Sequence, residues 1–152
     1  MTPRLVLVFT AGEGITGAIT RWWTWSAAGH VAGELGQVGA TIQYLDATPS
    51  RGVAQHAGIA GRIVARRTVD CEPEAEARAV AWAADQIGRP YDWRAIAGMP
   101  FRRDWRDPRA WFCSEIWAAA FEAIGLPLVH AEALDRVTPR DLLMSPRLRP
   151  VD

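Results

Sequence analysis

Lysine is absent from this chain, and acidic and basic residues balance at 17 each, so the formal net charge is zero over 152 residues. A protein that coats DNA by neutralising phosphates needs a positive excess, so no nucleic-acid partner is expected. A strongly acidic solvating chain is excluded by the same balance. The basic residues outside the three histidines are all Arg. This reads as a GC-rich coding bias, in a chain where any planar fork contact is available to Arg. No apolar run reaches 18 residues, so no membrane span is expected. Cysteine is scarce: Cys71 and Cys113 make no disulfide framework. The two Cys and three His also lack the paired short gaps of zinc sites, so no metal and no cofactor is expected. Leu5-Val6-Leu7-Val8-Phe9 is too short for a signal-peptide core, and Glu13 follows soon after it. The expectation is a cytoplasmic chain that carries no address of its own.

What the chain does have is an ordinary globular composition, with 49% hydrophobic and 22% charged residues. Its length suits one domain spanning residues 1–152. Leu5–Phe9 is a Val-rich run bounded by Pro3 and Gly12, the pattern of a buried strand. Ile15–Trp23 is helical by spacing, with Ile15, Ala18, Ile19 and Trp22 on one stripe. Gly29–Leu35 and Thr41–Ala47 read as two strands joined by Gly36–Gly39 as a hairpin connector. Arg62–Val69 is a further strand. Glu72-Pro73-Glu74 opens a helix with acids at its positive end, carrying Val80, Ala83, Ala84 and Ile87 as its stripe and stopping at Gly88. Met99–Ala110 is polar, Arg-rich and bounded by Pro, hence a loop. Phe112–Ile124 is the clearest helix, with Trp117, Ala120, Phe121 and Ile124 in register and Gly125 as its stop. Thr138-Pro139 starts a last short helix by N-cap and Pro at N1. The sum is an α+β domain, an antiparallel sheet with helices to one side.

Cys113 opens its helix within Trp111-Phe112-Cys113-Ser114-Glu115. The helix dipole and the first-turn N–H groups favour a thiolate there, and the same groups suit an oxyanion. The alternative is a small buried Cys packed on the sheet. Ser114 and Glu115 are explained by capping. Cys71 has acids around it and reads as structural. A thiolate needs a His partner. His30 has a strand to hold it, His56 lies in a Gly- and Ala-rich connector, and His130 follows Leu126–Val129. His30 is therefore the candidate base. Asp46, in Tyr44-Leu45-Asp46-Ala47, ends an apolar strand and is placed to fix the His30 tautomer. Glu34 and Gln43 are alternatives, because register is not read from sequence.

Taken in order, four segments carry a resemblance: His30-Val31, Tyr44-Leu45-Asp46-Ala47, Arg89-Pro90-Tyr91-Asp92-Trp93 and Phe112-Cys113-Ser114-Glu115-Ile116. Together they resemble the circularly permuted branch of the NlpC-type papain-like cysteine hydrolases, the group that includes lecithin retinol acyltransferase-like proteins. His30 precedes Cys113, as permutation requires. The resemblance covers roughly residues 4–145. It implies a papain-like fold with Cys113 as nucleophile, His30 as base, Asp46 as third polar residue and Tyr91 as a hydroxyl near the sulfur.

The function implied is a thiol hydrolase cutting an amide bond through an acyl-enzyme, as relatives do in peptidoglycan stem peptides. A muropeptide or other small peptide is the expected substrate. Delivery by a phage or tail-like particle would bring a chain without a signal peptide to cell-wall components. The alternative is a lipid or acyl-ester substrate, with Trp22, Trp23 and Trp25 as an interfacial edge. A non-catalytic binding module of the same fold is the third reading. Arg102-Arg103-Asp104-Trp105-Arg106 reads as a solvated or substrate-facing loop, because acids interrupt it.

Overall fold

The computed structural model describes residues 4–98, 107–130 and 137–151. The Arg102–Arg106 stretch, and the Met99–Ala110 loop before residue 107, lie outside the described residues. Six strands form one antiparallel sheet: β1 (Val6–Thr10), β2 (His30–Val38), β3 (Thr41–Thr48), β4 (Gly52–Ala57), β5 (Ile63–Val69) and β6 (Leu148–Pro150), in the order β4-β3-β2-β1-β5-β6. Among the described residues, five helices accompany them: α1 (Gly14–Thr24), α2 (Pro73–Ala84), α3 (Trp93–Gly98), α4 (Cys113–Ala123) and α5 (Pro139–Leu143). The fold class is α+β, with the antiparallel sheet expected.

The main core lies between the sheet and α4, with α2 behind it. Leu7, Phe9, Val31 and Leu45 meet Ile116, Trp117 and Phe121, all of them fully buried. Gly33 lies against Trp117, and a Cβ there would meet the indole at 2.1 Å. Residues alternate sides along a strand, so the neighbours of Gly33 and Leu45 face away from α4. Asp46, next to Leu45, and His30, three residues before Gly33, lie on that other side. His56 shares their side, being paired with Tyr44.

Several expectations need correction. The hairpin between β2 and β3 turns on Gly39 and Ala40, since Val38 pairs with Thr41. Gly36 is not in the connector; it carries a bulge within β2 at φ 113°. The connector holding His56 is itself strand β4. In α2 the buried stripe is Ala75, Ala79 and Ala83, and Ile87 lies beyond the helix, exposed. The largest reversal is α1. Its expected apolar stripe faces outward, with Ile15 77% and Trp22 74% exposed, while Gly17, Thr20 and Thr24 are buried.

Close approach explains that reversal. A Cβ on Gly17 would meet Gly12 at 2.9 Å, and one on Gly29 would meet the Ala11 carbonyl at 2.5 Å. Only the narrow side of the helix fits against this chain crossing. The buried hydroxyls are satisfied locally: Thr20 donates to the Thr16 carbonyl at 2.8 Å and Thr24 to that of Thr20 at 2.7 Å. Thr138 caps α5 as expected, accepting from the Asp141 N–H. No helix among the described residues is long and apolar enough to cross a membrane.

Candidate active site

Three neighbouring strands each contribute one polar side chain to a single line. His30 is the first residue of β2, Asp46 lies near the end of β3, and His56 lies in β4. Asp46 is 2% exposed, and each of its oxygens accepts from a histidine: Oδ2 from His30 Nε2 at 2.7 Å, Oδ1 from His56 Nε2 at 2.8 Å. The other expected orienters are elsewhere. Glu34 accepts from Arg66 at 2.7 Å, and Gln43 sits toward the hairpin end of β3, opposite Gly36.

Cys113 begins α4 and is 1% exposed. The N–H groups of a helix's first turn have no carbonyl one turn back to bond. Its neighbours are committed to structure. Ser114 donates to the Val137 carbonyl at 2.6 Å, and Glu115 accepts from the Phe112 N–H at 3.2 Å. The Cys113 sulfur lies close enough to His30 for charge on it to act on the ring. His30 Nε2 is already on Asp46, so Nδ1 is the ring nitrogen left for the sulfur. Burial works against the imidazolium of His30. Charge on the Cys113 sulfur and the bond to Asp46 outweigh it, and its pKa is pushed up to about 10. Negative charge on the sulfur therefore favours the protonated ring of His30. At Asp46, burial favours the neutral acid. The bonds and charges of His30 and His56 outweigh this and hold the carboxyl below the usual range.

Tyr91 reaches the site from a separate segment. It forms an isolated parallel bridge with Trp111, two residues ahead of Cys113. The same segment is tied to β4, since Val53 N–H donates to the Arg89 carbonyl at 2.9 Å. Gly52, at φ 67°, permits this, because a Cβ would meet that carbonyl at 2.3 Å. The Tyr91 ring stands edge-on to Phe112 at 5.9 Å. Its hydroxyl is pushed up, first by burial and then by negative charge on Cys113 and Asp92, so it is a donor and not a phenolate.

A cavity of about 520 Å³ opens on this line. His30, Asp46, His56 and Tyr91 form one wall, and the start of α1 with the Thr48–Arg51 turn forms another. The Cys113 sulfur is not on that wall; it is covered. Cys71 is half-buried between β5 and α2. Burial and then Glu76 push its thiol up, so it behaves as a structural thiol. His130 is exposed and takes no part. The residue that sequence reasoning missed is His56. Its signal was poor: Val53 is the one strong strand former in β4, and Gly and Ala around it resemble loop composition.

No protein-family model and no curated protein matches the chain. Among solved structures, the chain is similar to metalloprotein yiiX from Escherichia coli O157:H7, with a TM-score of 0.68 at 14% identity. The match covers 100% of this chain and 98% of that one. The likeness is one of fold.

Proposed function

We propose that this protein is a cysteine hydrolase of the circularly permuted NlpC-type papain-like group, acting on an amide bond. The observation that carries the reading is His30, hydrogen-bonded to Asp46 through Nε2 at 2.7 Å and close enough to Cys113 at the start of α4 for charge on its sulfur to act on the ring. In this reading the Cys113 thiolate attacks the substrate carbonyl carbon. First-turn N–H groups of α4 and the Tyr91 hydroxyl receive the developing oxyanion. The His30 imidazolium gives its proton to the leaving amine, which departs as the thioester forms. Water then attacks the thioester with His30 as base, releasing the acid and restoring the thiol. Asp46 holds the His30 ring and its proton on Nε2. A peptidoglycan stem peptide is the substrate class we favour, and a cell-wall setting follows from it.

The similar structure is that of a protein called a metalloprotein. The residues here do not suit a metal. Among the described residues no group of His, Cys, Asp and Glu is arranged to hold one. The Nε2 atoms of His30 and His56 both point into the Asp46 carboxylate instead of converging on a common point.

An acyl-ester substrate is the second reading, favoured by the apolar residues Ile15 and Trp93 on the cavity wall and by the exposed Trp22 and Trp25. The test is hydrolysis of muropeptides and of short acyl esters by wild type, Cys113→Ala and His30→Ala. Muropeptide cleavage abolished by both substitutions supports the amidase. Ester cleavage alone supports the second reading. Loss of neither activity on substitution removes Cys113 from the chemistry.

A further inference from the structure

His56 is more than a neighbour of Asp46. Its Nδ1 donates to the Gly58 carbonyl at 3.0 Å, and its Nε2 donates to Asp46 Oδ1 at 2.8 Å. Both partners accept only: one is a carbonyl, the other a carboxylate held ionised by its two histidines. Held at both nitrogens, the His56 ring is fixed at two points. The Gly58 carbonyl is available because that residue turns the chain at φ 74°, a conformation natural to glycine. The side chain of His56 is 10% exposed, so water competes little for these bonds. A carboxylate anchored at one oxygen cannot rotate away from the histidine on the other.

We propose that His56 is a positioning residue for the candidate catalytic pair, locking Asp46 from its far oxygen so that Cys113, His30, Asp46 and His56 work as a four-residue unit. The inference rests on the hydrolase reading but is measured without a substrate. The readout is the pH at which the Cys113 thiolate forms, taken from its ultraviolet absorbance with Cys113→Ser as blank, alongside the melting temperature. His56→Ala should lower the thiolate fraction of Cys113 at fixed pH by about tenfold, a typical effect of removing an outer support. His56→Gln keeps an N–H donor toward Asp46 and should stay within about threefold of wild type. The double variant Asp46→Ala with His56→Ala should form no less thiolate than Asp46→Ala alone, because His56 acts through Asp46.

A merely structural His56 would give a lower melting temperature with an unmoved thiolate profile, which overturns the proposal. Full additivity with Asp46→Ala overturns it as well. The hydrolase reading fails separately: wild-type Cys113 then titrates as an ordinary thiol and is indifferent to His30→Ala, and the four-residue unit falls with it. If His30→Ala disrupts the thiolate while His56→Ala does not, the reading stands and this inference alone is lost.

Discussion

Asp46→Ala and Asp46→Asn should give markedly different proteins, for a reason that can be counted in donors and acceptors. Alanine leaves two buried ring nitrogens, previously bonded at 2.7 and 2.8 Å, without an acceptor. Each bond to a charged group is worth about 1.5–3 kcal/mol, and removing one partner of a buried pair costs about 3–5 kcal/mol. The expected loss is about 4 kcal/mol, or roughly 8–16 °C in Tm for a chain of this size. Asparagine keeps the shape and replaces one oxygen with an amide NH2, which needs an acceptor. His56 can provide one: with its single proton on Nδ1, facing the Gly58 carbonyl, the neutral ring bares Nε2. The asparagine oxygen then stays on His30 Nε2–H. Charge is lost but both contacts survive, so the expected cost is about 1–2 kcal/mol, or roughly 2–8 °C. Thermal unfolding of both variants measures the gap. Nitrogen NMR of the imidazoles tests the cause, because neutral His30 in Asp46→Asn should keep its proton on Nε2. An Asn variant as unstable as the Ala variant, or a His30 proton found on Nδ1, would refute the reasoning.

Three further predictions follow from the packing and the charges. Gly33→Ala would drive a methyl into the buried Trp117 indole, and should cost about 3 kcal/mol or prevent folding, read by urea unfolding. Ile15→Ser and Trp22→Ser should each change stability by no more than about 0.5 kcal/mol, because both side chains lie on the outer side of α1; a larger loss would mean the helix is oriented the other way. His30 is raised from 6.5 to about 10, so its contribution to stability is complete below pH 6.5 and is lost as pH climbs through about 10. Urea midpoints measured across that window should therefore fall more steeply for wild type than for His30→Gln, and parallel profiles would contradict the assignment.

Elements built from one strong local signal were legible in the sequence. Leu5–Phe9 became β1 because a Val-rich run has few other uses, and Phe112–Ile124 became α4 because its stripe, its first-turn acid and its Gly stop agree. Helix α1 was legible as a helix and misleading as a surface. Periodicity reports where apolar residues lie, whereas the Gly12–Gly17 and Gly29 contacts decide which side can approach the sheet. The pairing of His30 with Asp46, over Glu34 or Gln43, depended on a register that only the folded ladder supplies, with its extra residue at Leu35. His56 was out of reach because β4 is held by neighbours and not by its own propensity. The β6 edge strand was missed for a similar reason: it is three residues long and ends in Pro150, which suits an edge but signals none.

The line His30–Asp46–His56 crosses three adjacent strands, each residue displaced by two positions from the one directly opposite its partner. Such a site tolerates a change of residue type far better than a change of chain length. A single inserted residue within β3 or β4 would turn Asp46 or His56 to the opposite side of the sheet, into the space filled by Leu45, Val53 and α4. The chain does accommodate one extra residue, Leu35 in β2, but beyond Glu34 and toward the hairpin, where the strand no longer carries the site. Length variation among proteins built on this plan should therefore gather at the β2–β3 hairpin tip. The stretch between Gly52 and Gly58 should keep its count, whatever occupies position 56.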